Sequence, residues 1–160
     1  MIRIIFETIA AYYAAYGFGI AFNIKGDTLK IAGIGGSIGW FIYKVSVVYF
    51  GIAEPMAFFM AGTGFGVYCE ICARIFMMPS TILSACALIV LVPGFGVYKT
   101  IYEFIMKNYV EAGNVFTSTL SSAGALALSL IFVTSIFRNM NVEKVLKNNF
   151  NITLKKKDIK

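Results

Sequence analysis

The sequence predicts an all-α integral membrane protein with four to five transmembrane helices, one of them broken at a Pro-Gly pair. Three observations carry that fold class. Of the 160 residues, 59% are hydrophobic and 14% charged, with a mean hydropathy of +0.78; a soluble domain carries about 25% charged residues. Apolar runs recur along the chain, each close to the ~20 residues that carry a helix across a bilayer. One run, PSTILSACALIVLVPGFGVY, is cut short after residues 80–92 by Pro93-Gly94.

The first segment, IRIIFETIAAYYAAYGFGIAFNI, ends at the polar stretch Lys25, Gly26, Asp27. A cleaved leader needs a basic start and a shorter apolar core before a small-residue site; this segment is too long and rich in tyrosine, so it reads as a retained helix. Glu7 and Thr8 then lie near its end or face protein. The second segment, residues 28–50, contains Gly33, Gly35, Gly36 and Gly39. Glycine costs about 1 kcal/mol in a helix interior, and it persists in membrane helices chiefly where a neighbouring backbone comes close. Helix contact is the favoured reading, an unwound helix beside a pathway the other. If this segment only dips into the membrane, the spans number four.

Glu54-Pro55 opens the third segment, with proline in the first turn where its missing N–H costs nothing. Glu70 and Arg74 follow inside it, four residues apart on one face and in the favourable order. A charge at mid-membrane costs about 2.5–3.5 kcal/mol on insertion scales, so such groups pair, face protein or line a polar cavity. Arg74 is also near enough to the helix end to snorkel. Glu70 is the candidate ion-coupling carboxylate, with Arg74 as its partner or as a counter-charge to a solute.

The fourth segment is the broken one. Proline removes a backbone hydrogen bond and clashes with the preceding turn, and glycine relaxes the chain further. Within hydrocarbon such a break is tolerated only where it is buried in protein or lines a wet cavity. A half-helix restarting there turns free N–H groups toward mid-membrane, where a carboxylate can bind. The candidate substrate-binding residues are therefore Pro93, Gly94 and Gly96 at the break, Tyr98 as a phenolic donor, Arg74, and Ser37. A simple proline kink is the alternative. A helical pattern resumes through GFGVYKTIYEFIMKNYVEAG, amphipathic, with Tyr98, Ile101, Tyr102 and Ile105 on one side and Lys99, Glu103 and Lys107 on the other. The last segment, residues 114–137, is rich in hydroxyls, among them Thr117, Ser118, Thr119, Ser121 and Ser122. These bond across helices or line a route.

Residues 1–137 thus form the transmembrane domain and residues 138–160 a basic tail. The net charge of +6 comes largely from Arg138, Lys144, Lys147, Lys155, Lys156, Lys157 and Lys160. Lysine and arginine beside a membrane exit mark the cytoplasmic side, placing the chain as a multi-pass protein of the cell (inner or plasma) membrane with its tail inside. The tail can touch anionic lipid headgroups. It lacks the folded basic face with interleaved aromatics that nucleic acid requires, so no nucleic-acid partner is expected.

No histidine is present, which removes the commonest general base and metal ligand. No cofactor, no metal and no enzymatic activity are expected. Cys69, Cys72 and Cys86 all lie in apolar helix, and a single C-x-x-C without a second pair reads as buried small hydrophobes.

LVPGFGVYKTIYEF, in residues 91–104, resembles the proline-glycine-x-x-x-tyrosine signature of the threonine/serine exporter family, and more closely its small-subunit, split type. GGSIGWFIYKV resembles that family's glycine-serine-isoleucine-glycine helix, and FFMAGTGFGVYCEICARIFMMPSTI its small-residue helix and proline-headed successor. The ordered set is Gly36, Ser37, Gly39, Arg74, Pro79, Pro93, Gly94 and Tyr98, and the likeness runs over residues 15–137. It implies the small subunit of a secondary-type exporter for small carboxylate-bearing metabolites, threonine and serine or succinate, working with a larger membrane subunit that bears a cytoplasmic domain. Homo-oligomers are possible on this reading. The alternative is a non-transporting structural subunit that stabilises a membrane complex.

Overall fold

The computed structural model describes residues 2–139; the tail expected over residues 138–160 lies, past Asn139, outside the described residues. Six helices follow in order: α1 (Ile2–Ala21), α2 (Asp27–Val48), α3 (Glu54–Ile75), α4 (Ser80–Leu91), α5 (Gly94–Ile105) and α6 (Tyr109–Asn139). Four of them are long and apolar enough to cross a membrane, and α4 with α5, bent by 45° at the break, makes a fifth span if the pair crosses as one. The chain is an all-α, multi-pass membrane protein.

Three of the helix ends share one device. The chain turns through a left-handed residue, Asn23, Met77 or Lys107, and the next amide reaches back to close the last turn. These bonds are Ile24 N–H to Gly19 O, Met78 N–H to Ala73 O and Asn108 N–H to Glu103 O, each 2.9 Å. The pattern satisfies carbonyls that a helix end leaves open. Lys107 takes this role although lysine has a Cβ to accommodate, and Asn108 helps by donating from its side chain to Glu103 at 3.0 Å. The helical pattern expected to run unbroken over residues 94–113 is therefore split at 106–108. As a result α6 begins at Tyr109, five residues before the expected start.

Helix α2 is unbroken over 22 residues and is the hub of the bundle, packing on α1, α3 and α4. Its glycines are the reason. A Cβ on Gly36 would stand 2.6 Å from Ala15 Cβ, and one on Gly39 would meet Leu91 at 2.5 Å and Phe65 at 3.1 Å. The glycine-rich segment thus makes helix contacts and does not merely dip into the membrane. Helix α3 meets α6 by the same rule, with Gly62 against Ser129 and Leu126 and Gly66 against Val133. Without a hydrophobic force between helices in lipid, such close backbone approach and the dispersion it allows hold the bundle together. The core between α2, α3, α4 and α6 is built from Phe58, Phe65, Cys69, Leu83, Leu91 and Leu126. Cys69 and Cys86 are buried free thiols.

Candidate functional site

The two ends of the bundle are built differently. At one end Arg74 closes the seam between α3 and α6. Its guanidinium donates to the Glu70 carboxylate at 2.7 Å and to the Phe137 carbonyl at 2.9 Å, and it lies 5.0 Å from the centre of the Phe137 ring. The Phe137 carbonyl sits in the last turn of α6, where the orphan acceptors and the negative dipole end favour a cation. Both terminal nitrogens of Arg74 are therefore used by the fold.

At the other end, about 20 residues (~30 Å at 1.5 Å per residue) along α3 from Arg74, a cavity of about 590 Å³ opens beside the broken span. The break itself forms one wall. Val92 and Pro93 leave the helical path, Pro93 with φ −73° and ψ 61°, and α5 restarts at Gly94 without a side-chain cap. In that first turn Gly94 N–H is held by Val92 O at 2.7 Å and Val97 N–H by Pro93 O at 3.3 Å. The amides of Phe95 and Gly96 have no such acceptor, as expected for the first turn of a helix. Gly96 is glycine because a Cβ there would collide with Thr119 of α6. That contact presses the restarted helix against α6, on which α5 chiefly packs.

The remaining walls come from α2, α3 and α6: Trp40 and Tyr43; Glu54 and Phe58; Asn114, Ser118, Thr119 and Ser122. Charges gather at the mouth. Lys99 of α5 reaches Glu111 of α6 at 3.4 Å, while Glu54 makes no ion pair among the described residues. Two polar groups on these walls are buried without a hydrogen-bond partner among the described residues, the Trp40 indole N–H and the Ser122 hydroxyl.

Of the residues expected from sequence, Pro93, Gly94 and Gly96 line this cavity. Tyr98, Arg74, Ser37 and Glu70 are not among its lining residues. Tyr98 is 64% exposed and stacks on Tyr102 along the outer face of α5. Ser37 donates to the Thr8 and Gly33 carbonyls at 3.4 and 3.2 Å, between α1 and α2. Glu70 is held by Arg74 at the far end. Sequence reasoning did not place Trp40, Glu54 or Lys99 at the site, and named Ser122 only as one of a stripe of hydroxyls that bond across helices or line a route. A further interior pair was also missed: Glu7 of α1 meets Lys44 of α2 at 2.9 Å, and the Lys44 ammonium lies 5.1 Å over the Trp40 ring. The only signal in the sequence was the charge itself inside an apolar segment.

A cavity within a helical membrane bundle, walled by a broken helix with free amides, is the arrangement by which secondary transporters hold small anions. Comparison with known proteins agrees with it: residues 7–136 match the family model described as threonine/serine exporter, ThrE. The chain belongs to the threonine/serine exporter family. No curated protein and no solved structure matches it. Membership makes this chain a transporter of exporter type in a membrane. In this exporter, no group of three or more His, Cys, Asp or Glu side chains is arranged to hold a metal among the described residues.

Proposed function

We propose that this chain is the small membrane subunit of a secondary exporter for small carboxylate-bearing metabolites, and that it works with a larger partner subunit carrying a cytoplasmic domain. The cavity beside Pro93-Gly94 holds the solute, and its carboxylate accepts hydrogen bonds from the Phe95 and Gly96 amides. The observation that carries this is the pair of unpartnered first-turn amides at the wall of a cavity inside the bundle. Hydrogen bonds to a charged group contribute about 1.5–3 kcal/mol each, and the helix N-terminus adds its dipole.

Between the family's cargoes, the charge at the mouth favours an amino acid over a dicarboxylate. One cation, Lys99, stands there against two anions, Glu54 and Glu111. A second carboxylate would enter a net negative mouth, whereas the ammonium of a zwitterion finds Glu54 unpaired. The larger partner is supported by the extent of large apolar side chains left exposed on α5 and α6, among them Phe95, Ile101, Phe104, Phe116 and Phe132. Lipid covers what the partner does not. Lys25, Arg74 and the end of α6 gather at one end of the bundle, and the lysines that follow α6 in the sequence support a cytoplasmic position for that end. Glu70 and Arg74 join α3 to α6 and stand apart from the solute.

The double substitution Pro93→Ala with Gly94→Ala tests the reading. It lets α4 and α5 run on as one rod, which gives the Phe95 and Gly96 amides intrahelical acceptors. Labelled-threonine counterflow by the co-purified complex in proteoliposomes should then need at least tenfold more substrate. Unaltered half-saturation in the double variant would remove the break from solute binding.

A further inference from the structure

We propose that Ser122 and Trp40 form a subsite that reads a hydroxyl group on the transported solute, and so set the exporter's preference within its cargo class. The proposal rests on the exporter reading above. It starts from a contrast along α6. Thr117, Thr119, Ser121, Ser129 and Thr134 each return their hydroxyl to a carbonyl of their own helix, at 2.6–3.1 Å. Ser122 does not, although it is 1% exposed and its oxygen is fully enclosed. A buried hydroxyl left without a partner forfeits its hydration with nothing in return, so an unpaired one calls for a ligand. The Trp40 indole N–H is in the same condition, enclosed and without a partner among the described residues, and Trp40 lines the same cavity from α2.

The chemistry of the two groups narrows what they take. An indole N–H only donates; a serine hydroxyl both donates and accepts. A solute hydroxyl matches that pair, accepting from Trp40 and donating to Ser122 Oγ. A second carboxylate could accept from both, but the net negative mouth disfavours it. Replacing the hydroxyl by a methyl group leaves both buried groups unpaired. Sites that bond a substrate hydroxyl reject the analogue lacking it far more strongly than apolar pockets reject an added group. Ser122 also lies deep, 13 residues (~20 Å) along α6 from Tyr109, on the wall that Gly96 and Thr119 bring against the break.

The test compares threonine with valine, its near-isostere without the hydroxyl. The full chain is purified with its partner, reconstituted, and loaded for counterflow of labelled threonine. Unlabelled threonine and valine are then titrated as competitors. Wild-type protein should require far more valine than threonine for half inhibition. Ser122→Ala should narrow that ratio about tenfold, chiefly by weakening threonine, and Trp40→Phe should narrow it in the same direction. Ser122→Thr, which keeps the hydroxyl, should retain the wild-type ratio. Ratios unchanged in both S122A and W40F would overturn the proposal, as would an equal fall in S122T and S122A. Wild-type protein that exchanges no threonine at all would overturn the exporter reading, and this subsite with it.

Discussion

The Arg74 end and the Pro93 end of this bundle both carry charge inside a membrane protein, yet they solve the problem in opposite ways. At the Arg74 end the two charged groups are partnered within the protein: Arg74 joins the Glu70 carboxylate to the Phe137 carbonyl across α3 and α6. At the Pro93 end polar residues line a cavity and lack partners. Among the described residues Glu54 has no ion-pair partner, and the enclosed Trp40 and Ser122 donors and the first-turn amides of α5 go without acceptors. A charge that is fully paired is part of the fold. Unpaired polar groups around a cavity are free for a ligand. The more conspicuous motif in the sequence, Glu70 with Arg74, is on this argument the less functional one.

Removing Arg74 is expected to have the largest effect. Arg74→Ala leaves the part-buried Glu70 without its partner and the end of α6 uncapped, a loss below the ~3–5 kcal/mol of a fully buried pair. A thermal melt of the complex in detergent should show it, while the half-saturation for threonine in the surviving fraction stays as in wild type. A raised half-saturation with unchanged melting would invert the comparison. Ser118→Trp should do the reverse. Ser118 lines the cavity and is exposed, so the indole fills space that the solute needs. Counterflow should fall at least tenfold, while stability moves by no more than about 0.5 kcal/mol, as for surface substitutions.

Two smaller effects sharpen the contrast. Glu70→Leu with Arg74→Met replaces the paired charges by apolar groups, which is often neutral or stabilising. Its melting point should return to within about 1 kcal/mol of wild type, with export retained. Loss of export in that variant would restore a transport role to Glu70. Lys99→Met breaks only the solvent-facing pair with Glu111, and such pairs contribute about 0.2–1 kcal/mol. Stability should scarcely change in the melt, and screening by salt should remove what difference there is.

Much of the architecture was legible in the sequence because membrane crossing sets helix length, and proline and glycine mark the interruptions. The break after Leu91 and the close-packing role of Gly36 and Gly39 follow from local chemistry alone. The site was only half legible. Pro93, Gly94 and Gly96 lie at the break, so no rotation of the helix can carry them away from it. Tyr98 is further along, and the two residues outside the helix, Val92 and Pro93, reset the helical phase and turn it outward. Arg74 was misleading because its decisive partner, the Phe137 carbonyl, is 63 positions away. Trp40 carried no signal, and Ser122 was one hydroxyl in a stripe of several. In a membrane helix the lipid-facing and protein-facing sides are both apolar, so periodicity does not reveal which hydroxyl is enclosed.

The most direct measurement is solute protection at the cavity wall. With Cys69, Cys72 and Cys86 replaced by alanine, single cysteines are introduced as Ser118→Cys, within the cavity, and as Tyr98→Cys, on the outer face of α5. Modification by a small water-soluble maleimide is followed in the intact complex with and without threonine. The account predicts that the thiol at position 118 reacts and is shielded by threonine in a saturable way, with no shielding at position 98. Equal rates with and without threonine at position 118, in a complex that still exchanges threonine, would contradict it.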